Sequence, residues 1–595
     1  MTSRTAALHL HSLILLCIGC GPDRDHDGWA DPADCEPERY SIHPGADDLT
    51  QDGIDQDCDG VDGTDLDGDG QASLRSGGAD CDDQDATVYA GAEDICLNGV
   101  REDCDKRDAL PGPHKRFSRP LTLSEQSLLL PGLEAYGFHG RSASGAGDAD
   151  GDGVAGDVLI GAFKVDGSAT DSGAAYLYSA VDLRQGIASP RTTIVGENAH
   201  DLAGFAVAGL GDVNGDGTDD LLISAHASSM AAEGAGAVYL ILGPVTGAQL
   251  DLANAPVKLL GQDRSMNVGS HLASAGDFNG DGLQDLAVDS VSGIRSYGDV
   301  AVLLGSEDWH PDDPLTIGFS EAELSIRGDL SWRESGAWFA LASAGDINGD
   351  GLDDLLVGAT KSDKCREAAW AGAAALFLGD ERAGGLLSWR DAALRMEGVS
   401  PGDCAGSAVA AGDLDGDGWP ELVIGAERVH RDDPKQYNGA VYVVDLEEEG
   451  MNTEGPLAMT LDDATATWYG EPGDGSASAL PGDAAGKSIA AVRRCDERAD
   501  LLIGRPKGGV DSEGAASLVT YSGPGTFNLT DRGVDLLGNT GSSETGNHVA
   551  SAGDVDGDGW EDLLIGAHQL RGDLDGDGSF GDNAVGGAYL LLTGP

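Results

Sequence analysis

The 595-residue chain carries 103 acidic against 36 basic side chains, a formal net charge of -67, with 91 glycines and 5% aromatic residues. That balance excludes nucleic acid as a partner, because nothing here could neutralise phosphates, and it calls for cations among the carboxylates if the chain is to stay compact. Abundant glycine with few aromatics favours many tight turns and short strands, and the regular apolar strings described below argue against disorder.

Residues 1–19 read as a signal peptide of the lipoprotein type. Arg4 supplies the positive start, and "LILLCIG" is apolar but too short to span a bilayer. The following "CIGC" resembles a bacterial lipobox with Cys20 as the lipidated residue. The expected location is the bacterial cell envelope, as an outer-membrane lipoprotein or at the cell surface with the membrane anchor on Cys20; without lipidation the protein would be secreted.

Residues 20–110 form an Asp/Cys-rich region. Two stretches align, "DCEPERYSIHPGADDLTQDGIDQDCDG" at 34–60 and "DCDDQDATVYAGAEDICLNGVREDCD" at 80–105. Export makes disulfides expected. Cys35–Cys58 is the first pairing, while that among Cys81, Cys96 and Cys104 stays open. Each stretch follows an Asp-rich loop, one with Asp23, Asp25, Asp27 and Asp31, the other with Asp65, Asp67 and Asp69. Aspartates at alternate positions around a glycine form the hard-cation pattern, with oxygens converging where glycine permits the turn. Few apolar residues are available, so metal and disulfides would have to support the small core. This region resembles the Asp/Cys-rich metal-binding motif (MopE-type) of bacterial surface proteins. Residues 111–119, "PGPHKRFSR", read as a basic linker.

From 120 to 595 a unit of about 68 residues recurs. It parses as short strand, loop, strand, Asp loop, strand, variable loop, strand. A glycine closing one strand precedes by eight the glycine opening the next, as in Gly196/Gly204 and Gly261/Gly269. The strand after the Asp loop returns seven times, from "DVLIGA" at 157–162 to "DLLIGA" at 562–567. The expected fold is all-β: a seven-bladed β-propeller of four-stranded blades, preceded by a small irregular region. The chain ends one strand short of a full unit, and "SLLLPG" at 127–132 aligns with the missing outer strand. The last blade should therefore borrow its edge from the start of the array.

The Asp loops carry the chemistry. Side-chain oxygens at positions 1, 3, 5 and 9, with a backbone carbonyl at 7, suit calcium better than zinc. Five loops are intact: Asp212, Asn214, Asp216 and Asp220; Asp277, Asn279, Asp281 and Asp285; Asp346, Asn348, Asp350 and Asp354; Asp413, Asp415, Asp417 and Glu421; Asp554, Asp556, Asp558 and Asp562. The first loop, Asp148, Asp150, Asp152 and Asp157, has one extra residue. In the sixth unit "VRRCDER" places arginine where ligands belong. Several structural calcium ions are the expected cofactors, each stabilising its blade on binding. A further "DLDGDG" at 573–578 lies in a variable loop.

These units resemble the FG-GAP repeats of integrin α-subunit propellers, with the glycine entry and the "GA" clear but "GAP" itself missing. The resemblance implies calcium in the loops that join two strands of a blade. "GDAAGKS" at 482–488 looks like a phosphate loop, but it is one residue short and aligns with the strand entries. "RGD" occurs twice, a weak signal in so Gly/Asp-rich a chain. The variable loops fall on the face opposite the Asp loops and carry irregular sequence. Trp370, Arg428 and Tyr437 there suit recognition, and Cys365 with Cys404 is an expected disulfide on the same face. The leading functional expectation is a calcium-stabilised binding or adhesion protein for a protein or glycan ligand, not an enzyme. A hydrolase acting on polysaccharide or phosphoester and an envelope scaffold without a specific ligand are the alternatives.

Overall fold

A computed structural model describes residues 121–593 apart from 292–297, 328–337, 361–370, 431–436, 447–456, 472–481, 495–497, 509–512, 539–542 and 572–583, with scattered residues between 24 and 81. The chain divides into two compact units, 1–112 and 113–595.

The larger unit is a seven-bladed propeller with one sheet per blade. Blade 2 is typical. Its innermost strand Ala203–Gly211 pairs antiparallel with Asp220–Ala225, that strand with Ala237–Ile241, and that with the outer strand Val257–Leu260. All six residues of Asp220–Ala225 are buried, as are those of its counterpart Asp157–Ala162 in blade 1. Both faces of each blade are covered by neighbouring blades, so these strands read as continuous apolar runs without alternation. The core accordingly lies between blades. Leu159, Leu177 and Ile194 of blade 1 pack against Val207, Ile223 and Tyr239 of blade 2. The entry glycines make the close approach possible: Gly204 sits at φ +79°, and a Cβ there would lie 2.1 Å from the Ala174 carbonyl oxygen of blade 1.

The ring closes as expected from the two ends of the array. Leu128–Pro131 pairs antiparallel with Gly587–Leu591, Leu128 opposite Leu590 and Leu130 opposite Ala588. It supplies the outer strand of blade 7, whose inner strands come from the C-terminal end of the chain.

The expectation of four strands per blade is corrected for six of the seven, which have five. The segment that leads from a blade's third strand to its outer strand reaches back and adds, in parallel, to the edge of the preceding blade. Gln249–Asp251 pairs in this way with Thr192–Val195, and Leu315–Gly318 with Val257–Leu260. Leu121–Thr122 does the same for blade 6. An apolar residue that follows each added strand is buried: Leu252, Phe319, Trp389, Leu461, Leu529 and Leu123. The extra strand occupies an edge that would otherwise present unpaired N–H and C=O groups.

The N-terminal unit is held by turns and a disulfide. Cys35 and Cys58 are bonded, with Cα atoms 5.7 Å apart, and Cys81 is also disulfide-bonded. Ile42 and Ala72 are its buried apolar residues among those described.

Candidate metal loops and the variable-loop face

Each Asp loop joins the innermost strand of a blade to the second. In blade 2 the strand ends on Gly211, whose φ of +81° opens a bulge just before the loop. The first carboxylate then organises the turn: Asp212 Oδ1 accepts from Gly215 N at 2.6 Å and its Oδ2 from Gly217 N at 2.8 Å. Asp277 and Asp346 accept from the matching backbone N–H groups, Gly280 and Gly282, and Gly349 and Gly351. Asp413 and Asp554 repeat the pattern. Carboxylate and amide oxygens at alternate positions are thereby held convergent.

The residue at position 9 is the most deeply placed. Asp220, Asp285, Asp354 and Asp562 are all fully buried. Each accepts two backbone hydrogen bonds. Asp220 Oδ2 takes Val213 N at 2.8 Å and its Oδ1 takes Gly243 N, just past the third strand, also at 2.8 Å. Asp562 does the same with Val555 N and Thr593 N. Burial pushes Asp157, Asp220, Asp285 and Asp354 up to about 7, with repulsion from the other loop carboxylates adding to it and the backbone N–H groups opposing it. Asp562 and Glu421 rise to about 8 for the same reasons. A divalent cation would relieve this cost by favouring the ionised form.

The donor set fits a hard cation. Among the described residues, ligand atoms of Asp148, Asp150 and Asp157 lie within 4.8 Å of one another, as do those of Asp413, Asp415 and Glu421 and those of Asp554, Asp556 and Asp558. Asp148 Oδ1 is buried without a hydrogen-bond partner. In the other three loops, asparagine stands at position 3: Asn214, Asn279 and Asn348 each donate to the position 5 aspartate, at 3.1, 2.9 and 3.0 Å. The first loop is different in kind, because Arg191 Nε lies 3.3 Å from Asp150 Oδ2 and its Nη1 3.6 Å from Asp152 Oδ2. Its extra residue is absorbed at Gly156, φ +104°, where a Cβ would lie 2.8 Å from the Asp554 carbonyl oxygen of blade 7. In blade 6 the Arg494 guanidinium lies 3.8 Å from Asp500 Oδ1 and over the Trp560 ring at 5.3 Å. Asp500 is fully buried and Arg494 nearly so, which places a fixed positive charge beside the counterpart of the position 9 carboxylate.

Position 8 was not singled out by sequence, and the fold gives it a role. Asp219 of blade 2 and Asp353 of blade 4 accept hydrogen bonds from the first residue of the preceding loop, Asp148 N at 2.7 Å and Asp277 N at 2.8 Å. Nor did sequence reasoning find Asp48, Asp55 and Asp57 of the N-terminal unit, whose ligand atoms also lie within 4.8 Å of one another. Asp25 is the one described member of the two N-terminal Asp loops; Asp23, Asp27, Asp31, Asp65, Asp67 and Asp69 lie outside the described residues, as do Cys20, Cys96, Cys104 and the 573–578 loop.

On the opposite face, Arg428 lies over the Tyr437 ring at 5.0 Å, and His430 packs against the same ring at 4.7 Å. Trp370 and Cys365 lie outside the described residues, and so does the expected bridge to Cys404, which is buried with its Sγ 3.6 Å from the Gly402 carbonyl oxygen. A second group on this face was not anticipated. Phe138 stacks on Phe163 at 5.3 Å, Phe163 meets Phe205 at 5.5 Å, and Phe205 meets His226 at 3.7 Å. Arg141 and Lys164 lie over Phe205 and Phe138. These rings are half-buried; Phe138 comes from the entry loop of blade 1, Phe163 and His226 from just past the second strands of blades 1 and 2, and Phe205 from the start of the innermost strand of blade 2. For Phe138 and Phe205 the sequence signal is the aromatic beside the glycine entry in blades 1 and 2, "GFHG" and "AGFAVAG".

The FG-GAP repeat family matches residues 203–241, 337–377, 405–444 and 545–571, and the family described as "Putative metal-binding motif" matches 34–63 and 80–109. Integrin alpha-IIb of Mus musculus is 34% identical over 219 residues, 35% of this chain and 20% of that protein. Integrin alpha-PS5 of Drosophila melanogaster is 30% identical over 199 residues, 32% and 18% of the two chains. Integrin alpha-IIb of Homo sapiens is 35% identical over 172 residues, 28% and 15%. The matched stretch thus spans a fifth or less of the length of these relatives. A solved structure titled "Crystal structure of the eukaryotic initiation factor" aligns over 66% of this chain and 88% of its own, at a TM-score of only 0.23 and 8% identity. Fold and loops together define a seven-bladed β-propeller whose aspartate clusters are arranged as metal ligands would be. More particularly, the chain carries FG-GAP repeats, is similar to integrin alpha chains, and has two copies of a metal-binding motif before its propeller in sequence.

Proposed function

We propose that the protein is a calcium-stabilised binding or adhesion protein of the bacterial cell envelope that engages a protein or glycan through its variable-loop face. The observation that carries this reading is the contrast between the two ends of the blades. At one end, backbone N–H groups and short loops fix every described Asp cluster. At the other, irregular loops present the Arg428–Tyr437–His430 stack and the half-exposed phenylalanines. Rigid aromatic and arginine side chains on a fixed scaffold suit recognition. The likeness to integrin alpha chains supports an adhesion-type role with a protein ligand. Calcium fits the all-oxygen donor sets, with Asp212, Asn214, Asp216 and Asp220 and their counterparts as ligands. Lipidation of Cys20 would supply the anchor; no described helix is long and apolar enough to cross a membrane.

The hydrolase reading has less support, because the loop carboxylates are engaged by backbone hydrogen bonds. The test is a protein and glycan array probed with the full chain in calcium. Binding that falls at least tenfold in Tyr437→Ala or Phe205→Ala is the expected result. Absence of any ligand would favour the scaffold, and turnover on polysaccharides or phosphoesters would favour the hydrolase.

A further inference from the structure

Arg141 is an arginine without an acid. It follows the entry glycine Gly140 and precedes the innermost strand of blade 1, Ser142–Gly147. Its guanidinium is half-buried and lies over the Phe205 ring of blade 2 at 4.9 Å. Among the described residues it has neither a side-chain hydrogen bond nor an ion pair. Other buried arginines of this propeller are paired: Arg505 with Asp483 and Asp535, each at 2.6 Å, and Arg494 with Asp500 at 3.8 Å. A guanidinium drawn out of water ordinarily finds a carboxylate, and a chain with 103 acidic residues has them to spare.

The surroundings explain why none is taken from within. Glu544, whose field reaches Arg141, is held by Lys507 at 2.9 Å and lies 3.6 Å from His568 Nε2. Asp289 is engaged by His271 Nδ1 at 3.0 Å. Burial, with Arg141 adding to it, pushes His226, His548 and His568 down to about 4, so these imidazoles are neutral at pH 7. His548 Nε2 donates to the Ala143 carbonyl at 2.8 Å. His568 is 8% exposed, and its Nδ1, like that of His226, is buried without a hydrogen-bond partner. This corner is therefore short of partners on more than one side chain. With Lys164 over Phe138, it is also locally positive on a chain of net charge -67.

The geometry selects the anion. A guanidinium lying over a ring is held by its face, which leaves the N–H fork along its edge to meet a planar carboxylate in two parallel hydrogen bonds. A phosphate would call for further charged donors, and the imidazoles here are neutral. Phe205 already meets Arg141, His226 and Phe163, and Phe138 meets Phe163, His568 and Lys164. Rings so engaged leave little for a sugar to stack on, which favours an acidic side chain over an acidic glycan. The chain's overall negative charge does not forbid this, because at about 0.15 M salt repulsion is screened beyond about 8 Å, and at contact the local charge decides.

Resting on the recognition face described above, we propose that Arg141, backed by Phe205, binds the carboxylate of an Asp or Glu side chain on a protein ligand. The test probes the full chain in calcium against arrays of glycans and of short peptides, each Asp or Glu peptide paired with its Asn or Gln twin. The wild type should prefer acidic peptides by roughly tenfold or more, the size expected for hydrogen bonds to a charged group. Arg141→Gln should abolish that preference. Arg141→Lys, which keeps the charge without the planar fork, should lose most of it, and it carries the comparison if Arg141→Gln does not fold. Arg382→Gln, at an exposed position between Ala373–Phe377 and Gly385–Ser388, should leave it unchanged. Equal binding of the twins, a preference that survives in both Arg141 variants, or Arg141-dependent capture of acidic glycans instead of peptides would overturn the proposal. Binding without an acid preference that still falls in Tyr437→Ala would overturn it while leaving the recognition face standing, and absence of all binding would overturn both.

Discussion

Asp148 N donates to Asp219 Oδ2 at 2.7 Å while Asp219 N donates back to the Asp148 carbonyl at 3.4 Å, so the Asp loops of blades 1 and 2 are clasped to each other. Blades 3 and 4 repeat the clasp through Asp277 and Asp353, at 2.8 and 3.0 Å, and blades 6 and 7 through Arg493 and Glu561, at 2.9 and 3.1 Å. Between blades 4 and 5 the corresponding residue is Pro420, which has no N–H to give. The first residue of one loop is thus positioned by the eighth residue of the next. Asp219→Ala should destabilise the propeller by about 1–3 kcal/mol, the cost of leaving the Asp148 N–H without its acceptor. Asp219→Asn, which keeps an acceptor, should lose less. Urea unfolding of the two variants beside the wild type measures the difference, and equal losses would show that the clasp is immaterial.

Removing calcium should lower the melting temperature. A site filled at 100 times its Kd contributes about 2.7 kcal/mol, and several loops share the set of convergent oxygens. Differential scanning calorimetry with and without a chelator reads this directly, with calcium restoring the transition. Magnesium should restore it poorly, since it demands tighter octahedral geometry. A melting temperature indifferent to chelation would remove calcium from the account.

The pH dependence should change sign with metal. Asp220, Asp285 and Asp354 are pushed up to about 7 by burial, from an ordinary value near 3.8. In chelator, the folded state holds these protons more tightly than the unfolded chain. The stability they contribute is complete below about pH 4 and is lost as pH rises through about 7. The chelated protein should therefore melt higher at pH 5 than at pH 8. In calcium the order should reverse, because the ion needs ionised ligands. Melting curves at both pH values, in chelator and in calcium, provide the check.

Blade 6 should be indifferent to metal and dependent on Arg494. Its guanidinium lies 3.8 Å from the buried Asp500 carboxylate, and removing one partner of such a pair costs roughly 3–5 kcal/mol. Arg494→Met should destabilise by that order, and the double variant Arg494→Met with Asp500→Leu should recover much of the loss. A double-mutant cycle by urea unfolding decides it.

Closure should carry stability out of proportion to its length. Leu130 is fully buried and packs with Val158, Ile160 and Leu590 across the junction of blades 7 and 1. Leu130→Ala should cost about 2–5 kcal/mol, measured by the same unfolding experiment. A loss like that of a surface substitution would mean that the borrowed strand does not close the ring.

Sequence by itself determined the repeat, the number of blades, the Asp loops and the strand that closes the ring, because each rests on local chemistry. Alternating aspartates around glycine favour a turn, short apolar runs such as "DLLISA" favour buried strands, and "SLLLPG" at 127–132 repeats the pattern of the outer strands. The structure alone decided what depends on residues meeting from different blades. The fifth strands were hidden because "QLD" or "LAM" is too short to announce itself, although the buried Leu252 and Leu461 that follow are a regular mark. Asp219 reads as one more acid in an acidic loop, and only its placement against Asp148 makes it a clasp. Asp48, Asp55 and Asp57 have no loop spacing to reveal them, since chain folding around Cys35–Cys58 is what brings their oxygens together. Periodicity is written along the chain, whereas convergence exists only after long-range contacts have chosen which carboxylates share a site.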